Sequence, residues 1–483
     1  MNKMILKLHN RYVLPVFACI TIVNVTFAQS KGHVDERFEL TSIVFRLTED
    51  EAFVHSTPAN YIADIDDYFS PYKNHELIEF VKKTMYAKSI LDISLPVQLA
   101  SDVEITTKGI VWTNNWTPLF EQYDTLSANR IWTRPERDEY LRLLNKFYKD
   151  TRFHKFYVSH GDFYAAIETA FDSVVSKIDT SWFREFFGIP YQMDNFWLVP
   201  ANGYHNFSIH RFDQNNREHN NCALGGVQTT STGKPSFHPN TFGTLIHEIC
   251  HNYSNSLCVK HEILFAEVCD TLYSMVGEPL RKHYYSQSTS LLYEGINRLC
   301  EFSYHISHST YGDIELREKI VDQIYTGFVW FEEMLCYMNV FNANRDKFPA
   351  FEDFLPQLKM FLDQVTENME HYYYPKYDLL IPRVVATYPV KNSVVETDLK
   401  EVRIQFSKPM QHVRSINRVE GKDILSLPVD WQNTYWYNDY VYVIPLKEPL
   451  KPHTKYGFKT TSFFADALNY FGALPYELIF ETK

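Results

Sequence analysis

Residues 247 to 251 read His247-Glu248-Ile249-Cys250-His251, two imidazoles four positions apart with a carboxylate between them. On a helix, positions i and i+4 lie one above the other on the same face. His247 and His251 can therefore direct two ring nitrogens at one metal ion. Glu248 stands about 100° around the helix from His247, at the flank of that face, where a carboxylate reaches a water beside the metal and not the metal itself. This is the pattern by which zinc-assisted hydrolysis works: the metal polarises a carbonyl, and the carboxylate takes the proton of the attacking water. From Thr244 to Tyr253 the only charged residue, histidines aside, is Glu248. A helix buried at an active site needs this, because unpaired charge inside a protein is costly.

Catalytic zinc usually has three protein ligands and a water. A third histidine six residues beyond His251, reached through a glycine, is excluded because those positions hold Leu257 and Ser254. The third ligand is expected to be a glutamate on a second helix, with Glu262, Glu267, Glu278, Glu294 and Glu301 as candidates. Glu262 and Glu267 follow closely, leaving little chain for a turn and a returning helix, although Glu267 stays open. Glu278 precedes Pro279 in a Gly-Glu-Pro stretch that reads as a turn. Glu294 lies in the segment from Ser290 to Phe302, where Leu291, Leu292, Ile296, Leu299 and Phe302 follow the helical period. Arg298, four residues on, can hold its carboxylate. The expected site is zinc on His247, His251 and Glu294, with Glu248 as general base and Arg298 steadying the third ligand. Glu301 is the alternative ligand on the same helix and is otherwise expected to be neutral for the metal.

Two further elements bear on a substrate. The stretch Asn221 to Gln228 carries Gly225 and Gly226 on a short strand ahead of the expected helix. An open strand edge there could pair with a peptide backbone, while paired glycines equally mark a turn. A group that stabilises the developing oxyanion is expected among Tyr284, Tyr285, Tyr304 and His305.

The 483 residues, 45% of them hydrophobic and 16% aromatic, suffice for two or more domains with sizeable cores. The first 28 residues have the form of a secretory leader: Lys3, Lys7 and Arg11, then an apolar run from Tyr12 to about Phe27, with Thr26-Phe27-Ala28 as the cleavage site. This predicts export. A lipid-anchoring site at Cys19 is disfavoured by bulky Phe17 and by the apolar chain that follows. Losing the three cations of the leader takes the formal charge from −12 to −15. Such a surface argues against nucleic acid as partner, since phosphate binding needs clustered lysine and arginine. No other long uninterrupted apolar run follows, so no membrane span is expected in the mature chain. Cys222, Cys250, Cys258, Cys269, Cys300 and Cys336 remain; disulfides and buried free thiols are equally compatible with them.

Along the chain, Phe38 to Leu47 alternates like a strand, Leu77 to Ala87 reads as a helix, and Val103 to Trp112 again looks β. Asp162 is placed to cap a helix whose apolar positions run from Phe163 to Ile178. Phe196 to Val199 and Phe207 to Phe212 read as strands, Pro239 and Asn240 mark the start of the metal-site helix, and 314–340 and 351–370 read as further helices. From Ile381 onward short alternating runs at Val384-Val385, Glu401 to Phe406, Tyr440 to Ile444, Tyr456 to Thr460 and Glu477 to Phe480 suggest a β-sandwich.

This last part resembles a bacterial immunoglobulin-like domain through Thr387-Tyr388-Pro389, the run Ile404 to Met410, the run Leu450 to Tyr456 and the closing Phe480-Glu481-Thr482. The preceding part resembles a family of secreted bacterial zincin-like proteins, of the gluzincin type of zinc metallopeptidase. Asp35 to Glu39, Tyr72 to Glu76, the His247–His251 motif and the Glu294/Arg298 helix carry that likeness. The resemblance implies an α+β chain: a leader over 1–28, a zincin-like catalytic domain over 36–375 and an Ig-like sandwich over 381–483. It supports a zinc site of two histidines and a glutamate and names no substrate. The expected activity is hydrolysis of a peptide or protein substrate, with cell-surface or glycan contact through the C-terminal domain as a further partner class. Two alternatives stand beside it: a zincin-like binding module with little turnover, and a zinc hydrolase acting on another bond.

Overall fold

A computed structural model describes residues 31–87, 93–113, 134–212, 218–283, 285–413, 415–419 and 423–483. The expected leader, with Cys19, and the candidate Tyr284 lie outside the described residues. The chain is α+β, with most helices before Leu380 and two further sheets after it.

The elements run β1 (Gly32–Val34), α1 (Glu36–Arg46), α2 (Ala59–Phe69), α3 (Glu76–Ala87), α4 (Leu95–Ser101), β2 (Val103–Thr106), β3 (Gly109–Trp112) and α5 (Arg134–Asp150). Next come α6 (Phe153–Ser159), α7 (Gly161–Val175), α8 (Thr180–Phe187), β4 (Asn195–Leu198), β5 (Asn206–Phe212), β6 (Glu218–Leu224), β7 (Val227–Thr229) and β8 (Pro235–Phe237). Then follow α9 (Thr241–Lys282), α10 (Ser288–Ser307), α11 (Asp313–Thr326), α12 (Phe331–Ala343), α13 (Phe351–Asn368) and α14 (Tyr374–Leu380).

The segment expected as a strand from Phe38 is helix α1. Asp35 caps it, its carboxylate accepting from the Arg37 backbone N–H at 2.9 Å, and Glu36 and Glu39 suit the positive end of the helix dipole. All residues from Phe38 to Arg46 are buried, so this helix is enclosed on every side and no polar face marks its period. The helix expected to be capped by Asp162 begins one residue earlier, at Gly161, without a side-chain cap, and ends at Val175.

One sheet matters for the site. Its order is β1-β4-β6-β5, with β1, β4 and β6 parallel and β5 antiparallel to β6 at the edge. The strand before Gly225 is thus interior and offers no open edge. Gly225 and Gly226 follow it in a tight turn. A Cβ on Gly225 would stand 2.3 Å from the Gly203 carbonyl oxygen, and Gly226 has φ +75°. The glycine pair lets two backbones meet and the chain leave the sheet, near the start of α9, where a Cβ on Gly226 would touch Thr241.

Helix α9 is 42 residues long, about 63 Å at 1.5 Å per residue. It runs through the expected Gly-Glu-Pro turn. Pro279 lacks the N–H that would bond the Met275 carbonyl, and the Tyr374 hydroxyl donates to that oxygen instead, at 3.1 Å. The helix therefore continues with its freed acceptor satisfied. Glu262, Glu267 and Glu278 consequently lie on the same helix as the histidines, not on a returning one.

After Leu380 the strands β9 (Val384–Tyr388), β10 (Val394–Val395), β11 (Glu401–Phe406), β12 (Ile416–Asn417), β13 (Ile424–Leu425), β14 (Tyr435–Asn438), β15 (Val441–Pro445), β16 (Lys455–Thr460) and β17 (Glu477–Thr482) form two sheets. One has the order β14-β15-β11-β9; the other has β10-β17-β16-β12, with β13 beside β16. Val402, Ile404, Tyr442 and Ile444 from the first share a core with Tyr456, Phe458, Leu478 and Phe480 from the second. This part is joined to the helices through buried Phe471, which packs with Val321, Ile324 and Tyr377. The Tyr325 hydroxyl also donates to the Gly472 carbonyl at 2.6 Å. Among the described residues no helix is long and apolar enough to cross a membrane, and all six cysteines there are free thiols, with Cys336 the exposed one.

Glu39 is a second consequence of the all-round burial of α1. Its carboxyl, with no exposure to solvent, accepts from the Tyr61 hydroxyl and from the Ala201 N–H at 3.2 Å. Burial pushes its pKa from 4.5 up to about 8, the two hydrogen bonds opposing. An acid whose pKa is higher folded than unfolded binds its proton more tightly in the fold. Its contribution is full below pH 4.5 and is lost as pH rises through about 8. Between pH 5 and 8 the chain is therefore expected to lose stability on the order of a few kcal/mol through this group. Glu39→Gln, which cannot ionise, should lack that part of the decline. Denaturant unfolding of both proteins at the two pH values tests this, and parallel losses would refute it.

Candidate metal centre

The site lies where α9, α10 and the edge strand β5 meet. Within α9 the apolar residues Leu245, Ile246, Ile249 and Cys250 are fully buried and fix the helix's rotation. This sets His247 and His251 toward α10. On α10, Leu291, Leu292, Ile296, Leu299 and Phe302 are buried as their period implies, which turns Glu294, Asn297, Arg298 and Glu301 toward α9.

The two imidazole Nε2 atoms stand 3.1 Å apart. A Glu294 carboxylate oxygen lies 3.5 Å from His251 Nε2, and the other lies 3.9 Å from His247 Nε2. Among the described residues these three form the one group of His, Cys, Asp or Glu whose ligand atoms converge, within 4.8 Å of one another. Ligands at about 2.0–2.2 Å from a tetrahedral zinc stand about 3.3–3.6 Å apart. Two of the observed separations fall close to that range and the third is slightly wider, so the donor set fits a zinc ion in both chemistry and spacing.

Each imidazole is oriented from its far side. The Glu301 carboxylate lies 2.8 Å from His247 Nδ1, and the Asn255 side-chain oxygen lies 3.1 Å from His251 Nδ1. With Nδ1 engaged in this way, Nε2 of each ring faces the centre. Asn297, fully buried, donates to the His247 backbone carbonyl at 3.2 Å and accepts from the Ser254 hydroxyl at 3.0 Å. Arg298 sits 3.3 Å from Glu294, as its spacing implies, and also donates to the Tyr285 hydroxyl at 2.8 Å. Tyr285 in turn donates to Glu294 at 3.2 Å.

Glu248 is buried, with 7% exposure. The Ser208 backbone N–H of β5 donates to its carboxylate, while the Ser208 hydroxyl donates to Asn252 one turn further along α9 at 3.0 Å. Burial raises the Glu248 pKa to about 7, opposed by His247 and supported by Glu294. Burial also disfavours a proton on His251 and holds its pKa at about 4. His247 differs: burial again opposes protonation, but the Glu301 carboxylate outweighs it and lifts the ring's pKa. Burial would raise Glu294, yet His251, Arg298 and His247 together hold it below the usual carboxylate range.

Of the residues expected from sequence, the structure brings together His247, Glu248, His251, Glu294 and Arg298. Gly225 and Gly226 are not at the centre; they serve the turn before α9. Glu301, expected to be neutral, is in fact the acceptor against His247. Asn255, Asn297 and Ser208 were not anticipated. Asn255 continues the four-residue spacing of His247 and His251, and Glu294, Asn297, Arg298 and Glu301 stand at i, i+3, i+4 and i+7, which places all four on one helical face. Of the candidate oxyanion donors, the Tyr304 hydroxyl accepts from the Asp179 N–H at 2.8 Å and His305 is buried beside Thr310. Tyr285 lines the cavity next to Glu294.

For a zinc ion on these donors, Glu301→Ala is expected to weaken binding about 10–100-fold, the cost of losing a partner that orients a ligand, and Glu294→Ala by more. Competition with a chromogenic chelator measures both. A Glu301→Ala affinity equal to wild type would mean that the His247 contact does not orient the ring.

No curated protein matches this chain. Among solved structures, domains 1–6 of surface layer protein SbsC align at 14% identity over 49% of this chain and 33% of that chain, with a TM-score of 0.16. The N-terminal part of the bacterial S-layer protein SbsC aligns at 13% identity over 50% of this chain and 58% of that chain, with a TM-score of 0.14. The chain thus spans about a third of the length of the first, and likeness at this level carries no statement about fold. The family described as domain of unknown function DUF4932 matches residues 16–360, a span that holds α9, α10 and every donor of the site. The chain belongs to the DUF4932 family.

Proposed function

We propose that this chain is an exported zinc-dependent hydrolase of peptide bonds, with a zincin-type catalytic domain over about 36–375 and an immunoglobulin-like sandwich over 381–483. The observation that supports it most is the convergence of His247, His251 and Glu294 at ligand spacing with a buried carboxylate, Glu248, on the adjoining residue. A zinc ion there supplies a Lewis acid for the substrate carbonyl and a nucleophilic water near neutral pH. The chain's residues do the remainder. Glu301 and Asn255 hold the two rings with Nε2 inward. Arg298 and Tyr285 hold the Glu294 carboxylate. Glu248, steadied by the Ser208 N–H and with a pKa of about 7, is suited both to accept the water's proton and to pass it to the leaving amine. The basic-then-apolar start of the sequence supports export, and the C-terminal sheets suit a module that contacts a surface or a glycan.

About one zinc per chain is expected by elemental analysis of protein reconstituted with zinc. His247→Ala and His251→Ala should lose it. Glu248→Gln should keep the metal and lose about 10²–10⁴-fold in turnover of a peptide library. Wild-type protein that takes up no zinc would overturn the reading, as would a Glu248→Gln variant as active as wild type.

A further inference from the structure

The polar face of α9 continues beyond the metal donors. Asn255 and Glu262 stand on the same side of the helix as His251, since eleven residues complete close to three turns. Together these side chains floor a cavity of about 390 Å³ that opens beside Glu294. Its opposite wall comes from the connector after α9 and the start of α10, with the rings of Tyr285 and Tyr293 among its lining. The lining includes two carboxylates, Glu262 and Glu294, and no lysine or arginine. Glu294 is matched by Arg298 at 3.3 Å. Glu262 is exposed and has no ion-pair partner among the described residues. The groove therefore leads away from the site along a rigid helix and ends on one uncompensated negative charge.

We propose that this groove receives the substrate chain on one side of the scissile bond and that Glu262 selects a lysine or arginine side chain there. The inference rests on the peptidase reading and adds a substrate class to it. The lengths agree. At 1.5 Å per residue, Glu262 stands about 16 Å along α9 from His251. An extended peptide advances about 3.3–3.6 Å per residue and a lysine side chain spans about 6 Å. The basic residue therefore stands about three positions from the reacting carbonyl. Tyr293, which also lines the cavity, can pack against its methylene stem, as long cationic side chains favour. The chain's net negative charge favours the approach of a cationic substrate in general, and the uncompensated Glu262 carboxylate favours it at the groove.

The test uses zinc-loaded full-length protein and pairs of peptides identical except for lysine or norleucine at the third position on either side of the cleaved bond. For wild type, kcat/KM should favour the lysine peptide by about 3–5-fold at low salt, the scale of an exposed ion pair, and the ratio should shrink toward one at high salt. Glu262→Gln should bring the ratio near one at all salt concentrations. Glu262→Lys should reverse the preference toward a peptide with glutamate in that position. Because Glu262 is an exposed helical position, thermal melting and zinc content should match wild type in both variants. Peptide turnover without a basic preference, or a lysine preference that persists in Glu262→Lys, overturns this inference and leaves the peptidase reading intact. No turnover of any peptide by the zinc-loaded protein overturns both.

Discussion

The seam between α9 and α10 must bury six ionisable side chains in one small volume, and the rest of the architecture follows from how their charges are matched. His247, His251, Glu294, Arg298 and Glu301 lie between the two helices and Glu248 at the flank facing β5, while most of the other buried residues of these helices are apolar. An unpaired charge there would cost several kcal/mol. The arrangement avoids this by pairing in both directions. Glu294 and Glu301 are held ionised by Arg298 and the histidines, and Glu301 in turn favours the proton of His247. Glu248, whose burial is opposed chiefly by His247, sits with its pKa near 7. The same burial thus leaves one carboxyl with its pKa near 7 and two carboxylates held ionised, with the difference set by which groups face each.

Such a layer requires backbone that does not move, and the elements around it supply that. Asn297 reaches across the seam to the His247 carbonyl and to Ser254, tying the two helices in register. On the other side, Ser208 bonds both Glu248 and Asn252, so edge strand β5 sets the rotation of α9 as firmly as α10 does. Strand β5 is itself held by seven paired residues of β6, and the Gly225–Gly226 turn returns the chain from β6 toward the start of α9. The glycines, which read equally as a strand edge for substrate and as a turn, make the junction from which α9 departs.

What could be read from sequence was whatever showed a period. The His247–His251 spacing, the apolar stripe of α10 and the Glu294–Arg298 pair fall on one helical repeat each, and the structure places them together. The strands after Ile381 were legible because their alternation is regular; in β11, for instance, Val402, Ile404 and Phe406 are buried while Arg403 and Gln405 are exposed. Helix α1 failed the same reading because burial on all sides leaves no polar stripe, and a two-residue alternation then arises by accident. The contact of Glu301 with His247 was not legible for a different reason. Its spacing to Glu294 was visible, but whether it would meet the metal, His247 Nδ1 or solvent depends on the angle between two helices, which no local pattern encodes. The turn at Gly277-Glu278-Pro279 failed because a tertiary contact, the Tyr374 hydroxyl on Met275, supplies what the proline removes.

The continuity of α9 from the motif through Glu262, well before Pro279, matters most for the site. Had α9 ended soon after the motif, Asn255 would have been its last turn and the groove floor would have been loop. Because the helix runs unbroken through this stretch, the two histidines, the orienting Asn255 and the backbone of Glu262 are fixed along one axis at 1.5 Å per residue. A site carried on a single helix holds its distances better than one assembled from loops. Proline and glycine near its end, which taken locally are breakers, mark the place where the fold had to intervene to keep the helix whole: Gly277 is buried where a Cβ would meet Arg281 and Tyr273, and Tyr374 caps the orphaned carbonyl. The far end of α9 thereby packs against α13 and α14, and the near end against β5 and α10. The helix connects the seam that holds the metal donors to the helices that support the C-terminal sheets.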